Sequence, residues 1–158
     1  MNYHKVEGTR YEYICLNVYH QALSVKQYEH KGGDPWLEFL KAERWRYPLV
    51  QRVNLLQDGL SAHWTDEIRE WARRSNVTLV PTATNASWMN PVECHAGDIE
   101  KLALAATDYR SWDDVGRAFQ DAVCYRNSER KARHKTFRDT QRRRDGRRKH
   151  RQPLWKRH

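Results

Sequence analysis

Hydrophobic positions change period several times along the chain, and each change marks an element. Over residues 11–19, "YEYICLNVY", Tyr13, Cys15 and Asn17 alternate with Ile14, Leu16 and Val18 in a stretch rich in aromatic and β-branched types. That two-residue period predicts a strand. Residues 24–30 form a second extended segment that returns antiparallel to the first before "KGGDP" breaks the chain, so a hairpin is expected. Asp34 and Pro35 then offer a helix N-cap and a first-turn proline, and Trp36, Phe39, Leu40 and Tyr47 share a face up to Pro48. Residues 50–57 read as a strand whose adjacent Leu55 and Leu56 suit a sheet covered on both faces.

Thr65 caps the next helix, with Asp66 and Glu67 at its positive end and Ile68, Trp71, Ala72 and Ser75 on one stripe, and Asn76 closes it. "VTLV" at 77–80 is a short strand stopped by Pro81, and "TATNASWMN" is a loop. Asn90 and Pro91 open a helix with the stripe Ile99, Leu102, Ala103 and Ala106. A last helix starts at Ser111, carries Asp113 and Asp114 in its first turn and buries Val115, Ala118, Phe119 and Ala122. Beyond Asn127 the apolar period ends. This order of elements predicts an α/β fold, a hairpin leading into strand-helix crossovers.

Charge divides the chain further. The net charge of the 158 residues is +9, but residues 126–158 hold 15 Lys+Arg against 3 acids, which leaves residues 1–125 with a net charge of −3. The expected organisation is therefore a folded domain over 1–127 followed by a basic, flexible tail over 128–158. Cys15, Cys94 and Cys124 are widely spaced, with no Cys-x-x-Cys pair for zinc, and no apolar run is long enough to span a bilayer. A soluble, cytoplasmic protein with reduced thiols is expected.

Asp58 follows the strand at 50–57 and precedes Gly59, which is ordinary turn chemistry. The carboxyl edge of a strand in an open α/β sheet is also where ligands bind. Glu93, one crossover later, stands three residues after Asn90, the spacing of a capping box. Each acid has a structural reading of its own. Together they suit a hard divalent cation, although a two-metal phosphoryl-transfer site needs a further bridging carboxylate.

The stretch "LLQDGLSAHWTDEIREWARRSNVTLVPTATNASWMNPVE" resembles the catalytic core of mariner-like bacterial insertion-sequence transposases, members of the DDE superfamily with a ribonuclease-H-like fold. The matching features are a strand ending in Asp58, "LSAH", "VTLVPT" and "SWMNPVE", and the likeness runs from about residue 8 to 127. The resemblance implies that Asp58 and Glu93 are the second and third carboxylates of an acidic triad holding Mg²⁺ or Mn²⁺. It implies hydrolysis of DNA at element ends and strand transfer into target DNA, with His63 and Asn90 shaping the pocket. A homodimer is among the implied assemblies.

Two departures qualify that picture. The family's first Asp lies on a central first strand, between the second strand and the one ending in the second Asp, and residues 1–7 carry no acid in that place; using Glu7 or Glu12 instead requires a different register. An isolated chain is then expected to be inactive or impaired unless an upstream-encoded fragment supplies the strand. Gly59 also stands where the family more often has Asn. The tail residues Arg142, Arg143, Arg144, Arg147, Arg148, Lys149 and Arg151 form a candidate phosphate clamp, with Trp155 able to stack on a base. The rival expectation is a catalytically dead nucleic-acid-binding remnant acting through that tail.

Overall fold

A computed structural model of the chain describes the backbone at residues 8–83, 90–105 and 108–150, and the side chains of all these except 132–140 and 143–150. Residues 1–7, most of the loop around "SWM", Ala106, Arg151 and Trp155 lie outside the described residues.

The hairpin forms as its alternation predicts. Strand β1 (Tyr11–Asn17) pairs antiparallel with β2 (Ala22–Tyr28), with Tyr11 opposite Tyr28 and Asn17 opposite Ala22. Gln21 takes a φ of 53° at the turn, and the Asn17 side chain accepts the backbone N–H of His20 to close it.

Helix α1 (Gly33–Arg44) begins earlier than the Asp-Pro pair suggests, because Gly32 at φ 152° is the N-cap and no side chain caps it. Asp34 instead lies in the first turn, where its charge favours the dipole. The helix ends before Tyr47. Strand β3 (Val53–Gln57) likewise starts later than expected, since residues 48–51 close a turn by a bond from the Gln51 N–H to the Pro48 carbonyl.

A short 3₁₀ turn (Ser61–His63) leads to α2 (Asp66–Arg74), where Thr65 Oγ1 accepts the N–H of Ile68 as the cap its sequence position predicts. Asn76, at φ 55°, turns the chain into β4 (Val77–Pro81), which runs parallel to β3 in the register Val53 to Val77. Helix α3 (Glu93–Ala103) follows, and α4 (Trp112–His150) is helical through the basic segment. Ser111 Oγ accepts the Asp114 N–H while Asp114 Oδ2 accepts the Ser111 N–H, a reciprocal cap. No proline interrupts α4, and its many Arg, Lys and Gln residues are good helix formers.

The four strands make two separate two-stranded sheets, β1–β2 and β3–β4. Each has its own core. Leu23 of the hairpin packs with Ile99 and Ala103 of α3 and Val115, Phe119, Ala122 and Val123 of α4, with Ile14, Leu16 and Val25 at the margin. On the other sheet Leu37 and Leu40 of α1 and Ile68 of α2 pack with Leu55 and Leu79, while Val53, Ala72 and Val77 continue the layer. Leu102, placed on the α3 stripe by its spacing, is 46% exposed. The chain divides into two compact units, Met1–Val123 and Cys124–His158. Both sheets and both cores belong to the first.

Arg44 organises the β3–β4 half. Only 5% exposed, it donates to the carbonyls of Tyr47, Pro48, Leu49, Gln51 and Ser75. A guanidinium carries five N–H donors in a fixed fork, so a charge with no carboxylate partner among the described residues is satisfied by backbone carbonyls. It joins the end of α1 to the turn before β3 and to the end of α2.

Candidate active site

Asp58 sits directly after β3, and the residues beyond it fold back onto its side chain. Its Oδ1 accepts the N–H of Leu60 at 3.2 Å, an Asx turn, and lies 2.6 Å from Nδ1 of His63. Its carbonyl accepts the indole N–H of Trp64 at 2.7 Å. The turn and ligand readings of Asp58 are therefore compatible, because one oxygen serves the turn while Oδ2 has no protein partner among the described residues.

His63 is held as tightly as the aspartate it touches. Its ring stacks on Trp36 at 4.1 Å between centroids, with an angle of 23°. Gln57, 3% exposed, donates from Nε2 to the His63 carbonyl and accepts the Trp36 indole N–H on Oε1. Tyr13 of β1 presents its ring edge-on to both Trp36 and His63. Sequence reasoning passed over Gln57 and Trp36. The alternation of β3 contains the missed signal, since Val53, Leu55 and Gln57 share its inner face, and an amide there needs partners.

Glu93 opens α3 and is exposed, with no hydrogen bond from its side chain among the described residues. The capping-box geometry is not formed, because Val92 is the N-cap and Asn90 Oδ1 accepts the Val92 N–H at 3.3 Å. Asn90 thus closes the turn just before the helix, two residues ahead of its N-cap, and its backbone carbonyl accepts the Glu93 N–H.

Asp58, His63, Asn90 and Glu93 all line one cleft of about 320 Å³, bounded by β1, β3, α1 and the start of α3. Among the described residues its charged lining is entirely acidic: Glu12 and Glu43 join Asp58 and Glu93, and no described Lys or Arg borders it. Burial lifts the Glu12 carboxyl above its ordinary range, opposed by a hydrogen bond from Gln27. Glu12 Oε2 is buried with no partner among the described residues. Cys15 is pushed up to about 12, first by burial and then by the neighbouring Glu43 charge, which disfavours its thiolate.

The donors suit Mg²⁺ or Mn²⁺ in kind, as free carboxylate oxygens at one mouth of a cleft. They are too few in number: among the described residues no three His, Cys, Asp or Glu side chains group to hold a metal ion. Of the basic residues in the tail, Arg142 is exposed; the side chains of Arg143, Arg144, Arg147, Arg148 and Lys149 lie outside the described set, as do Arg151 and Trp155. Among the described residues, no helix is long and apolar enough to cross a membrane.

No protein-family model matches the chain. Nor does any curated protein. Solved structures do match. The dimeric form of the HTLV-2 integrase catalytic core domain in complex with magnesium is 16% identical, aligns over 77% of this chain and 78% of that one, and gives a TM-score of 0.56. The trimeric form of the same domain is 17% identical over 73% and 77%, with a TM-score of 0.52. A chain of the simian T-cell lymphotropic virus intasome in complex with the PP2A regulatory subunit B56 gamma is 11% identical over 68% of this chain, at a TM-score of 0.56. The match spans 40% of that intasome chain. These likenesses define the fold as mixed α/β of the ribonuclease-H-like, integrase-core kind.

Proposed function

We propose that this chain is the C-terminal part of a DDE-type DNA cleavage and strand-transfer domain, with the mariner-like insertion-sequence transposases as the family its motifs resemble. The observation that carries the reading is the convergence of Asp58 and Glu93 on one acidic cleft, with Asp58 fixed by His63. The integrase-core fold supports the same class of chemistry, and one such core is described in complex with magnesium. Asp58 and Glu93 would hold the cation, which when bound supplies Lewis-acid activation of a phosphodiester. The chain's own contribution is to fix the rotamer of Asp58 through His63 and Leu60 and to leave its second oxygen open.

A third carboxylate is needed. The reading therefore makes Asp58 and Glu93 by themselves insufficient for cleavage until a further carboxylate joins them. DNA at element ends and target sites is the substrate class, a homodimer the simplest assembly, and the bacterial cytoplasm the expected location. Residues 1–127 would be the partial catalytic domain and 128–158 the DNA-contacting tail.

The test is Mg²⁺- or Mn²⁺-dependent cleavage of element-end DNA by the chain with an added N-terminal fragment, repeated with Asp58→Ala and Glu93→Ala. Each substitution is expected to abolish cleavage, and cleavage indifferent to both would sink the metal-site assignment. A second reading is favoured by the missing third donor: a nucleic-acid-binding remnant that works through its 14 tail cations without catalysis. It predicts metal-independent binding that weakens steeply with salt and disappears when residues 128–158 are removed.

A further inference from the structure

A second cleft, of about 530 Å³, lies between α2 and β4, and its charge is opposite to that of the first. Three guanidiniums border it: Arg52 from the residue before β3, and Arg69 and Arg73 one helical turn apart on α2. No described Asp or Glu does. The average character of the domain does not account for this, because residues 1–125 carry a net charge of −3. Arg73 is held by both oxygens of Glu70, which stands outside the lining. Arg52 and Arg69 are exposed, and their side chains have no hydrogen bond or ion pair among the described residues. Two unpaired like charges from different elements thus border one concavity, and an anion placed between them relieves their repulsion and accepts from both forks.

The remaining lining suits more than a bare anion. Trp64, Ala72, Val77 and Leu79 supply apolar surface. The Trp64 indole N–H is committed to the Asp58 carbonyl, so what this side chain has left for a ligand is its ring. Asn76 donates from Nδ2 to the carbonyls of Leu49 and Val50, which leaves Oδ1 as an acceptor. Paired guanidiniums, an aromatic wall and an amide acceptor together match a nucleotide unit, with a phosphodiester for the cations and a base for the ring. A base within a duplex has both faces covered by its neighbours, so an unpaired strand is the form that presents a face to Trp64. The same tryptophan touches Asp58, which puts this cleft one side chain away from the candidate catalytic aspartate.

We propose that Arg52, Arg69 and Trp64 form a subsite for one nucleotide of single-stranded DNA, its phosphate against the two guanidiniums and its base against the indole. The choice of DNA as the polyanion rests on the proposed function. The preference for an unpaired nucleotide rests on the cleft itself, and neither depends on the basic tail.

The test uses the full 158-residue chain in EDTA. Single-stranded oligothymidylate carrying one iodouracil is photo-crosslinked to it, and the products are mapped by mass spectrometry, which separates Trp64 from the tail. A crosslink at Trp64 is expected. It should fall about tenfold when Arg52→Ser and Arg69→Ser are combined, and about as far when the strand is annealed to its complement, while crosslinks to residues 128–158 are unchanged by the two substitutions. In the unsubstituted chain the oligonucleotide should also slow amide exchange over residues 64–79, a measurement that does not depend on how the double variant folds. No crosslink at Trp64, equal crosslinking of duplex, or indifference to the double substitution would each overturn the subsite and leave the arginines as a solvated helix face. Inorganic phosphate that suppresses the crosslink as well as unlabelled oligonucleotide at equal phosphate concentration would overturn it as a nucleotide site. The cleavage assays fail separately. A Trp64 crosslink with cleavage indifferent to Asp58→Ala and Glu93→Ala sinks the catalytic reading alone, whereas cleavage lost in both variants without a Trp64 crosslink sinks the subsite alone.

Discussion

In the β3–β4 half a single buried cation, Arg44, holds three backbone segments together through carbonyls, whereas the β1–β2 half is closed mainly by apolar contact of Leu23 with α3 and α4. Polar satisfaction is directional and fails abruptly when one partner is lost; apolar packing degrades with the volume removed. The candidate carboxylates are divided between these halves. Asp58 ends β3, and Glu93 opens the helix that packs on the hairpin core. Whatever fixes the halves relative to each other also sets the separation of the two acids.

The largest expected effect is from Arg44→Met, which removes the one buried donor shared by five backbone carbonyls and should cost about 3 kcal/mol or more in urea denaturation. Hydrogen exchange should show residues 53–57 and 77–81 losing protection before residues 22–28. Uniform loss would break the distinction between halves. Next come Ile68→Ala and Ile99→Ala, each at a position essentially closed to solvent, 0% and 1% exposed, and each expected to cost about 3 kcal/mol. Their double mutant should be additive within about 0.5 kcal/mol if the cores are independent. A larger coupling energy would mean that the sheets act as one core.

Thr65→Ala removes the cap of α2 and should cost about 1 kcal/mol, read again from residues 66–74 by exchange. The smallest effect is expected at Glu12. Its folded pKa lies above the ordinary 4.5, so its contribution favours folding below about pH 4.5 and is lost as pH rises through the folded value. Glu12→Gln should therefore raise the melting temperature at pH 7 by about 2 °C and do little at pH 4. A fall at pH 7 would show that the carboxylate gains a further partner in solution beside Gln27.

Local chemistry was legible in the sequence and relayed contacts were not. The hairpin, the Thr65 cap and the order of elements follow from periods of two and 3.6 and from short-range capping. Asp58 and Glu93 were legible as acids that could share one site, and both line one cleft. The five-residue loop back to His63 needed the 3₁₀ turn, and the Gln57–Trp36 support needed the pairing of β3 with α1. Arg44 stands on the stripe of Leu37 and Leu40, where a cation reads as an interruption; only the turn at 47–51 shows it to be satisfied. The sequence resemblance places a further strand between these two, and among the described residues β1 and β3 form no ladder with each other.

Two-stranded sheets have a consequence for life in a crowded cell. A sheet edge turned outward is a template on which further copies can stack. Among the described residues β1 pairs only with β2 and β3 only with β4, so each of the four strands keeps one open edge. Whatever covers those edges, within the chain or from a neighbour, decides whether the molecule stays single.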